Sequence, residues 1–334
     1  MRQPSPTGSG PAVVALGGGH GLSATLQALR QVTDRLTAVV TVADDGGSSG
    51  RLRRELGGLP PGDLRMALAA LCGDDEHGRE WARVLQTRFT SDGCLNGHAV
   101  GNLLIEGVWQ CLDDPIEGLG LVGQLVHARG RVLPMSLQPL TIEADVLDLD
   151  DQHPDEPVVV RGQHEVATTR GTVQEVRVVP AQPAACPQAV QAILDADYVV
   201  LGPGSWFTSV IVHLLVPDLA RALIATSARR VLTLNLVPAD ETENYSASRH
   251  LELISEAAPK LRFDWVIADR EFGADDPHLA SYAASLGARL VVDSVRRTDL
   301  TTRHDPAKLA QVFRKMMSAG PHRGRPIVQH GVQG

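Results

Sequence analysis

The stretch from residue 13 to residue 29 reads VVALGGGHGLSATLQAL. The apolar run 13–16 is typical of a short buried strand, and Leu22, Leu26 and Leu29 then recur at the spacing of a helix. The glycines between them allow the chain to turn sharply from the strand into the helix. The stretch therefore predicts a strand, a tight turn and a helix, which is the start of a βαβ unit.

The same alternation continues along the chain and indicates an α/β fold, with a mostly parallel sheet covered by helices on both faces. Further strands are predicted at 36–42, 198–201, 231–236, 265–268 and 290–292, and helices at 64–71, 81–89 and 99–112. The segment 131–180 differs, because its prolines and β-branched runs disfavour long helices. We expect it to be a β-rich insert on the edge of the core, within one domain spanning 12–320.

Composition excludes several classes of protein. The 334 residues contain 31 Lys and Arg against 39 Asp and Glu, for a net charge of −8, and only 4% of the residues are aromatic. A general nucleic-acid surface is basic and rich in stacking rings, so we expect no nucleic-acid partner. No apolar run reaches the ~20 residues of a bilayer span, and four cysteines without C-x-x-C spacing indicate reduced thiols in the cytoplasm. We expect residues 1–11 to form a disordered tail and 321–334 a loose one.

The glycine loop after the first predicted strand is the first candidate binding site, because such a loop lets the helix N-terminus approach a phosphate. Its spacing departs from the dinucleotide fingerprint and it lacks a Walker lysine. The alternative is a plain strand-to-helix turn. The candidate residues of this loop are Gly17, Gly18, Gly19, His20 and Gly21.

The second candidate, TVADDGGSSGR at 41–51, follows the second strand, where ligands of open α/β sheets bind. Asp44 and Asp45 could hold magnesium or ribose hydroxyls, and Ser48, Ser49 and Arg51 supply further polar groups. The alternative is an Asx turn with Ser48 or Ser49 capping a helix.

Three more stretches carry candidate groups. Asp63 either caps the helix that begins near Leu64 or serves as a metal or proton-transfer carboxylate, and Arg65 is a candidate anion contact. His98 and Asn102 are four residues apart, which places them on one helical face and suggests a pocket wall, although a histidine on a helix is more often structural. After later strands, Gly202, Gly204 and Ser205 offer a second cradle, and Asn235 a polar group in a loop that could be an ordinary connection.

These motifs, taken together in order, resemble the YvcK family, the gluconeogenesis-factor branch of the CofD-like superfamily. The resemblance rests on GGGHG at 17–21, TVADDGGSSGRLRR at 41–54, PPGDLR at 60–65, GHAVGNL at 97–103, RGRVLPMS at 129–136 and LGPGSWFTSV at 201–210. It implies a Rossmann-like fold, a cytoplasmic location, a nucleotide ligand such as UDP-N-acetylglucosamine, and a role in cell shape, cell-wall synthesis and gluconeogenic growth. CofD relatives are magnesium-dependent 2-phospho-L-lactate transferases that act on a deazaflavin coenzyme precursor.

The sequence departs from the family pattern at two places. The loop after the strand ending near Asn235 is one residue shorter than usual and lacks a glycine, and His20 stands where many members carry Thr. Near the C-terminus, Arg303 begins an R-H-D stretch that the resemblance links to ligand binding.

Two functions follow as expectations. The first is a regulatory protein that binds a UDP-sugar, with Arg303 and the two glycine loops as ligand contacts. The second is a phospholactate-type transferase, in which Asp45 and Asp63 are catalytic and bind magnesium. We expect a homodimer, because most soluble oligomers are twofold; no protein partner can be named.

Overall fold

The computed structural model describes residues 10–150, 152–238, 240–243, 245–274, 276–299 and 301–318. The tails predicted at 1–11 and 321–334 lie outside these ranges, except for Gly10 and Pro11. Within the described ranges the strands are β1 (Val13–Gly17), β2 (Leu36–Val40), β3 (Arg131–Pro134), β4 (Thr141–Leu147), β5 (Val158–Arg161), β6 (Thr172–Val179), β7 (Tyr198–Leu201), β8 (Arg229–Thr233), β9 (Trp265–Asp269) and β10 (Arg289–Asp293).

Seven parallel strands form the main sheet in the order β10-β9-β8-β7-β1-β2-β3. Every residue of β1, β7 and β9 is buried, as expected for strands covered on both faces, whereas the edge strand β10 is partly exposed. The mostly parallel, Rossmann-like α/β fold with helices on both faces is confirmed.

Helices connect most of these strands, and five of them lie between β2 and β3. They are α1 (Gly19–Leu29), α2 (Gly47–Leu56), α3 (Gly62–Leu71), α4 (Glu76–Gln86), α5 (Val100–Leu112), α6 (Pro115–Leu125), α7 (Gln163–Ala167), α8 (Pro187–Leu194), α9 (Pro217–Ala225), α10 (Ala247–Ala257), α11 (Arg270–Ala274), α12 (Leu279–Ser285) and α13 (Pro306–Ser318). Among the described residues no single helix is long and apolar enough to span a bilayer. One pair bent by 67°, Trp206–His213 with Pro217–Ala225, meets the length and composition test when taken together.

The predicted β-rich insert contains a second, antiparallel sheet in the order β5-β4-β6. Residues of β4 are alternately buried and half-buried, so one face packs on the core and the other faces solvent. The insert was predicted to begin at Arg131, but β3 pairs with β2 and belongs to the main sheet. The second sheet therefore starts only at Thr141.

The helix predicted at 81–89 was wrong at its C-terminal end, because α4 ends at Gln86. The N–H of Thr87 donates to the carbonyls of Arg83 and Val84 and closes the helix, and the N–H of Phe89 instead donates to the carbonyl of His98 at 2.9 Å. The apolar spacing that includes Phe89 thus continues past the helix into a loop.

Candidate functional site

A cavity of about 600 Å³ opens between β1 and β7, the adjacent strands at which the strand order reverses. The chain runs from β1 outward to β2 and β3 on one side, and from β7 outward to β8, β9 and β10 on the other. Open α/β sheets bind ligands at this switch point, beyond the carboxyl ends of the strands. Its lining includes Gly18, Gly19, His20, Gly21, Gln86, Gln163, Gly204, Ser205, Ser209, Asn235, Arg297, Arg303 and His304.

The first glycine loop forms one wall of this cavity. A Cβ at Gly18 would lie 2.5 Å from Cγ2 of Thr41 and 2.6 Å from Oδ2 of Asp63, and a Cβ at Gly21 would overlap the carbonyl of Pro203. Larger residues are therefore excluded at both positions. Because α1 has no side-chain cap, the backbone N–H groups of its first turn after Gly19 are available to an anion, whereas that of Gly19 contacts the Asp63 carboxyl.

The second glycine loop packs directly against the first and lines the same cavity. Gly202 has φ +74° and Gly204 has φ +151°, which favour glycine. The N–H of Gly204 donates to Oδ1 of Asn235 at 3.1 Å, so the predicted polar residue orients this loop. No ordinary α-helix follows; a single π-helical turn, Trp206–Val210, brings Ser209 to the cavity. Gly17 and Gly202 belong to the supporting backbone and do not line the cavity.

Two arginines also line the cavity, and Nε of Arg297 pairs with Asp299 at 3.1 Å. The N–H of Arg297 donates to the carbonyl of Arg303 at 3.0 Å, so both side chains come from the ends of one short loop. His304 beside them is buried, and burial lowers the pKa of its imidazole to about 4. His304 is therefore uncharged at neutral pH, and the fixed positive charge comes from the arginines.

His20 lies at the start of α1 with its side chain exposed in the cavity. The walls of the cavity partly exclude water from the ring, and this desolvation lowers the pKa of its imidazole. The positive charges of Arg303 and Arg65 lower the pKa further. An imidazole in this position is neutral and can still donate one hydrogen bond.

The acidic turn after β2 lies beside the cavity and does not line it. Oδ1 of Asp44 accepts from the N–H of Gly46 at 3.1 Å, which is the Asx turn foreseen as the alternative. Burial raises the pKa of Asp44, and its contact with Ser49 opposes that shift. Oδ1 of Asp45 accepts from the N–H of Gln163 at 3.0 Å and so fixes the insert to the core.

Asp63 does not cap α3, in contrast to the alternative considered from the sequence. The N-cap position is Pro61 and lacks a side-chain bond, and Asp63 faces the first glycine loop instead. Burial and the nearby charge of Asp44 raise the pKa of Asp63 to about 7, against the opposing effects of Gly19, Gln163 and Arg65. Its Oδ2 is buried and has no hydrogen-bond partner.

The described residues include no group of three His, Cys, Asp or Glu side chains that could hold a metal ion. The unpartnered Oδ2 of Asp63 suits a cation, whereas Asp45 is directed to the insert. Magnesium held by Asp45 and Asp63 therefore stays a prediction.

The remaining predicted residues form a buried polar network instead of a pocket wall. Asn102 donates to Oγ of Ser48 at 3.0 Å and to Oγ of Ser49 at 3.4 Å, and its Oδ1 accepts from Nε of Arg65 at 2.9 Å. Oγ of Ser48 also lies 3.0 Å from Nδ1 of His98. None of these side chains lines the cavity. We call this set (Ser48, Ser49, Arg65, His98 and Asn102) the polar network.

Three predictions about these residues are corrected by the structure. His98 precedes α5, whose N-cap is Ala99, so it does not share a helical face with Asn102. Ser48 and Ser49 do not cap α2, which begins after Gly46 without a side-chain cap. The guanidinium of Arg51 is directed away from the cavity and donates to the carbonyls of Cys94 and Asn96 at 3.2 and 2.7 Å.

Several cavity residues were missed from the sequence. Gln163 comes from the insert, over a hundred residues after the loop that it joins, and no local pattern could reveal that contact. Arg297 could have been found, because it lies six residues before Arg303 in the same polar stretch. Ser209 falls within the quoted motif LGPGSWFTSV but had no assigned role.

Known proteins of similar sequence and structure agree with this architecture. The family model described as 2-phospho-L-lactate transferase CofD matches residues 13–308. A Mycobacterium tuberculosis protein, named provisionally as a gluconeogenesis factor, is 53% identical over 305 residues, which are 90% of this chain and 89% of that protein. A Listeria innocua protein named gluconeogenesis factor is 33% identical over 92% of this chain and 96% of its own.

Among solved structures, a Bacillus halodurans member of the UPF0052 family superposes with a TM-score of 0.80 at 30% identity. The match covers 91% of this chain and 98% of that one. Because the family model spans most of the chain and the named relatives align over nearly their whole length, the chain belongs to the CofD family, in the branch of the gluconeogenesis factors.

Proposed function

We propose that this protein is a regulatory protein that binds a nucleotide sugar through its diphosphate, with UDP-N-acetylglucosamine as the first candidate, and releases it unchanged. The observation that carries the proposal is the composition of the cavity wall. It contains two arginines, two glycine loops and the uncapped N-terminus of α1, and no Asp or Glu among its described residues. The chain as a whole carries a charge of −8, so the cavity is a local exception.

The shape of the cavity supports the same ligand class. Its volume of about 600 Å³ lies within the range of small-molecule sites. Apolar surface from Met66, Leu236 and Val237 adjoins the polar centre, where a base or sugar can pack beside a diphosphate that the N–H groups and arginines hold.

We extend the proposal to the cellular role that the family resemblance implies. In this view the protein acts in the cytoplasm, as a homodimer, and links the level of the nucleotide sugar to gluconeogenic growth, cell shape and cell-wall synthesis. The names of the relatives support the gluconeogenic part of this role.

The second candidate is a magnesium-dependent transferase of the 2-phospho-L-lactate type. Asp63 favours it, because its buried and unpartnered oxygen lies beside the loop that would hold the donor diphosphate. Asp45 and Asp63 would then hold the magnesium ion, which would neutralise charge on the transferred group. The chain's own loops would contribute mainly positioning.

Calorimetric titration of UDP-N-acetylglucosamine, with and without magnesium, tests the first candidate. UDP-glucose, GDP and NAD serve as comparison ligands, and chromatography follows the ligand afterwards. We expect saturable binding and unchanged ligand. Incubation with a diphosphate donor, the deazaflavin acceptor and magnesium, beside an active CofD enzyme, tests the second candidate. Product formation would overturn the regulatory proposal in favour of the transferase.

A further inference from the structure

His20 lies in the cavity at the N-terminus of α1, together with Arg303. It is the second residue of this helix, and its ring is exposed. No hydrogen bond of its imidazole to another described residue is present in this state. A diphosphate over the glycine loops would lie next to this ring.

The groups around His20 are mostly positive. Arg303 approaches from the segment before α13 and Arg65 from α3, and Arg297 lies on the same wall as Arg303. His304 is buried and neutral. The acids near this site are Asp63 of α3, behind Gly18 and Gly19, and Asp299, which pairs with Nε of Arg297 at 3.1 Å. An empty cavity therefore disfavours a further positive charge on His20.

A bound diphosphate reverses this field, since two negative charges then lie between the ring and the arginines. We propose that His20 recognises the diphosphate as a cation, by donating a charge-assisted hydrogen bond to a phosphate oxygen, and that binding therefore takes up a proton from solvent. The inference rests on the proposed function. On binding, the neutral imidazole gains one proton from water or buffer, and no other covalent bond changes.

The sign of the pH dependence follows. Burial and the two arginines lower the pKa of His20 in the free protein, and the ligand raises it in the complex. Between these two values the complex holds one proton more than the free protein, so affinity rises as pH falls, by up to about tenfold per pH unit. Above the pKa of the complex, the imidazole is neutral in both states and the dependence disappears.

Titration of UDP-N-acetylglucosamine in buffers of different ionisation enthalpy measures this proton. The diphosphate of this ligand is esterified at both ends and does not itself titrate between about pH 6 and 8.5, unlike the terminal phosphate of GDP. We expect uptake of about one proton near pH 7 in the wild type. We expect none in His20→Asn, with an affinity about tenfold lower at pH 6.5 that converges with the wild type at pH 8.5. His20→Arg, with a fixed charge, should bind well without uptake.

Two further variants separate His20 from other titrating groups. Asp63→Asn should keep the uptake, although the pKa of Asp63 is also near 7. His153→Asn, an exposed histidine bonded to Asp150 in the insert, should behave as the wild type. Uptake that persists in His20→Asn, or that disappears only in Asp63→Asn, would overturn the inference. Binding without any dependence on buffer would overturn the inference alone, and absence of binding to the wild type would overturn the proposed function with it.

Discussion

The cavity and the polar network both follow a buried strand of the same sheet, and both have glycines followed by polar residues, yet they differ in what their polar groups contact. In the network, Asn102 satisfies Arg65 and both serines, so these groups are bonded to one another. In the cavity, the N-terminus of α1 has no side-chain cap and Arg303 faces open space, whereas Nε of Arg297 pairs with Asp299 at 3.1 Å. Sequence shows the polar residues in both regions, but only packing shows whether they have already found partners.

The largest effect is expected from Gly21→Ala, which tests whether the two glycine loops must touch. The new Cβ would overlap the carbonyl of Pro203 and lie 2.8 Å from Cα of Gly204, and neither backbone can yield cheaply. We expect the free energy of unfolding to fall by about 3 kcal/mol and ligand binding to be lost. Gly107→Ala on the exposed side of α5 meets no atom and should stabilise the protein by about 1 kcal/mol. Urea unfolding of both variants checks this, and equal behaviour would contradict the contact.

Asp63 lies where the cavity and the polar network meet, and Asp63→Asn tests its effect on the pH dependence of stability. The pKa of Asp63 is about 7 in the folded state against 3.8 without the fold, so the folded state holds the extra proton between these values. Stability therefore falls as pH rises through this window, by about 1.4 kcal/mol per unit. Asp63→Asn lacks this loss, so its free energy of unfolding should rise relative to that of the wild type from pH 5 to pH 7. Above pH 7 the difference between the two proteins should stay constant.

Urea unfolding at a series of pH values measures the gap for Asp63→Asn. Burial also raises the pKa of Glu106 to about 7, but that group is common to both proteins. Asp299→Asn is the control, because the contact with Thr301 lowers the pKa of Asp299 below its usual 3.8, so its difference from the wild type should stay level from pH 5 to pH 7. A gap that stays level from pH 5 to pH 7 would refute the raised pKa of Asp63.

Arg303→Gln tests the open side of the comparison. Loss of a guanidinium that contacts a diphosphate should lower the affinity for UDP-N-acetylglucosamine about 10- to 100-fold, with little change in unfolding. Arg51→Gln should leave the affinity unchanged, because that guanidinium already donates to the carbonyls of Cys94 and Asn96. Calorimetry measures the affinity of both variants, and equal losses of affinity would contradict the distinction between the cavity and the polar network.

Asn102→Ala tests the polar network, whose groups are already bonded to one another, and should have the smallest effect on ligand binding. It removes the acceptor of Nε of Arg65, which is buried, and should cost about 1 to 2 kcal/mol of unfolding free energy without changing ligand affinity in the folded protein. Asn96→Ala, at an exposed loop position, should change stability by less than about 0.5 kcal/mol. A large loss of ligand affinity in Asn102→Ala would place the network inside the binding site.

The sequence was a good guide wherever the signal was local. The strand at 13–16 and the glycines after it predicted both the central strand and one cavity wall, because a buried strand and a sharp turn each leave a short, regular pattern. The second glycine loop followed by the same logic. The end of α4 was misjudged because Phe89 continues the apolar spacing after the helix hydrogen bonds have stopped.

Side-chain pairing was the part that sequence could not supply. Nothing near Asp45 indicates that its partner is the N–H of Gln163, because the contact joins segments separated by 118 positions. For the same reason the serines at 48 and 49 looked like ligand contacts or caps, although their hydroxyls bond to a helix that begins about fifty residues later.

The assembly of the cavity from distant segments has a consequence for biosynthesis. The first glycine loop belongs to α1, the first helix of the described residues, whereas Arg303 closely precedes α13, which packs on α1 and whose Arg314 donates to the carbonyl of Gln31 at 2.9 Å. A nascent chain therefore carries an uncovered face on α1 until α13 has been synthesised. Any molecule held by both walls of the cavity can bind only after both segments exist, so it cannot serve as a template for the folding of α1 alone.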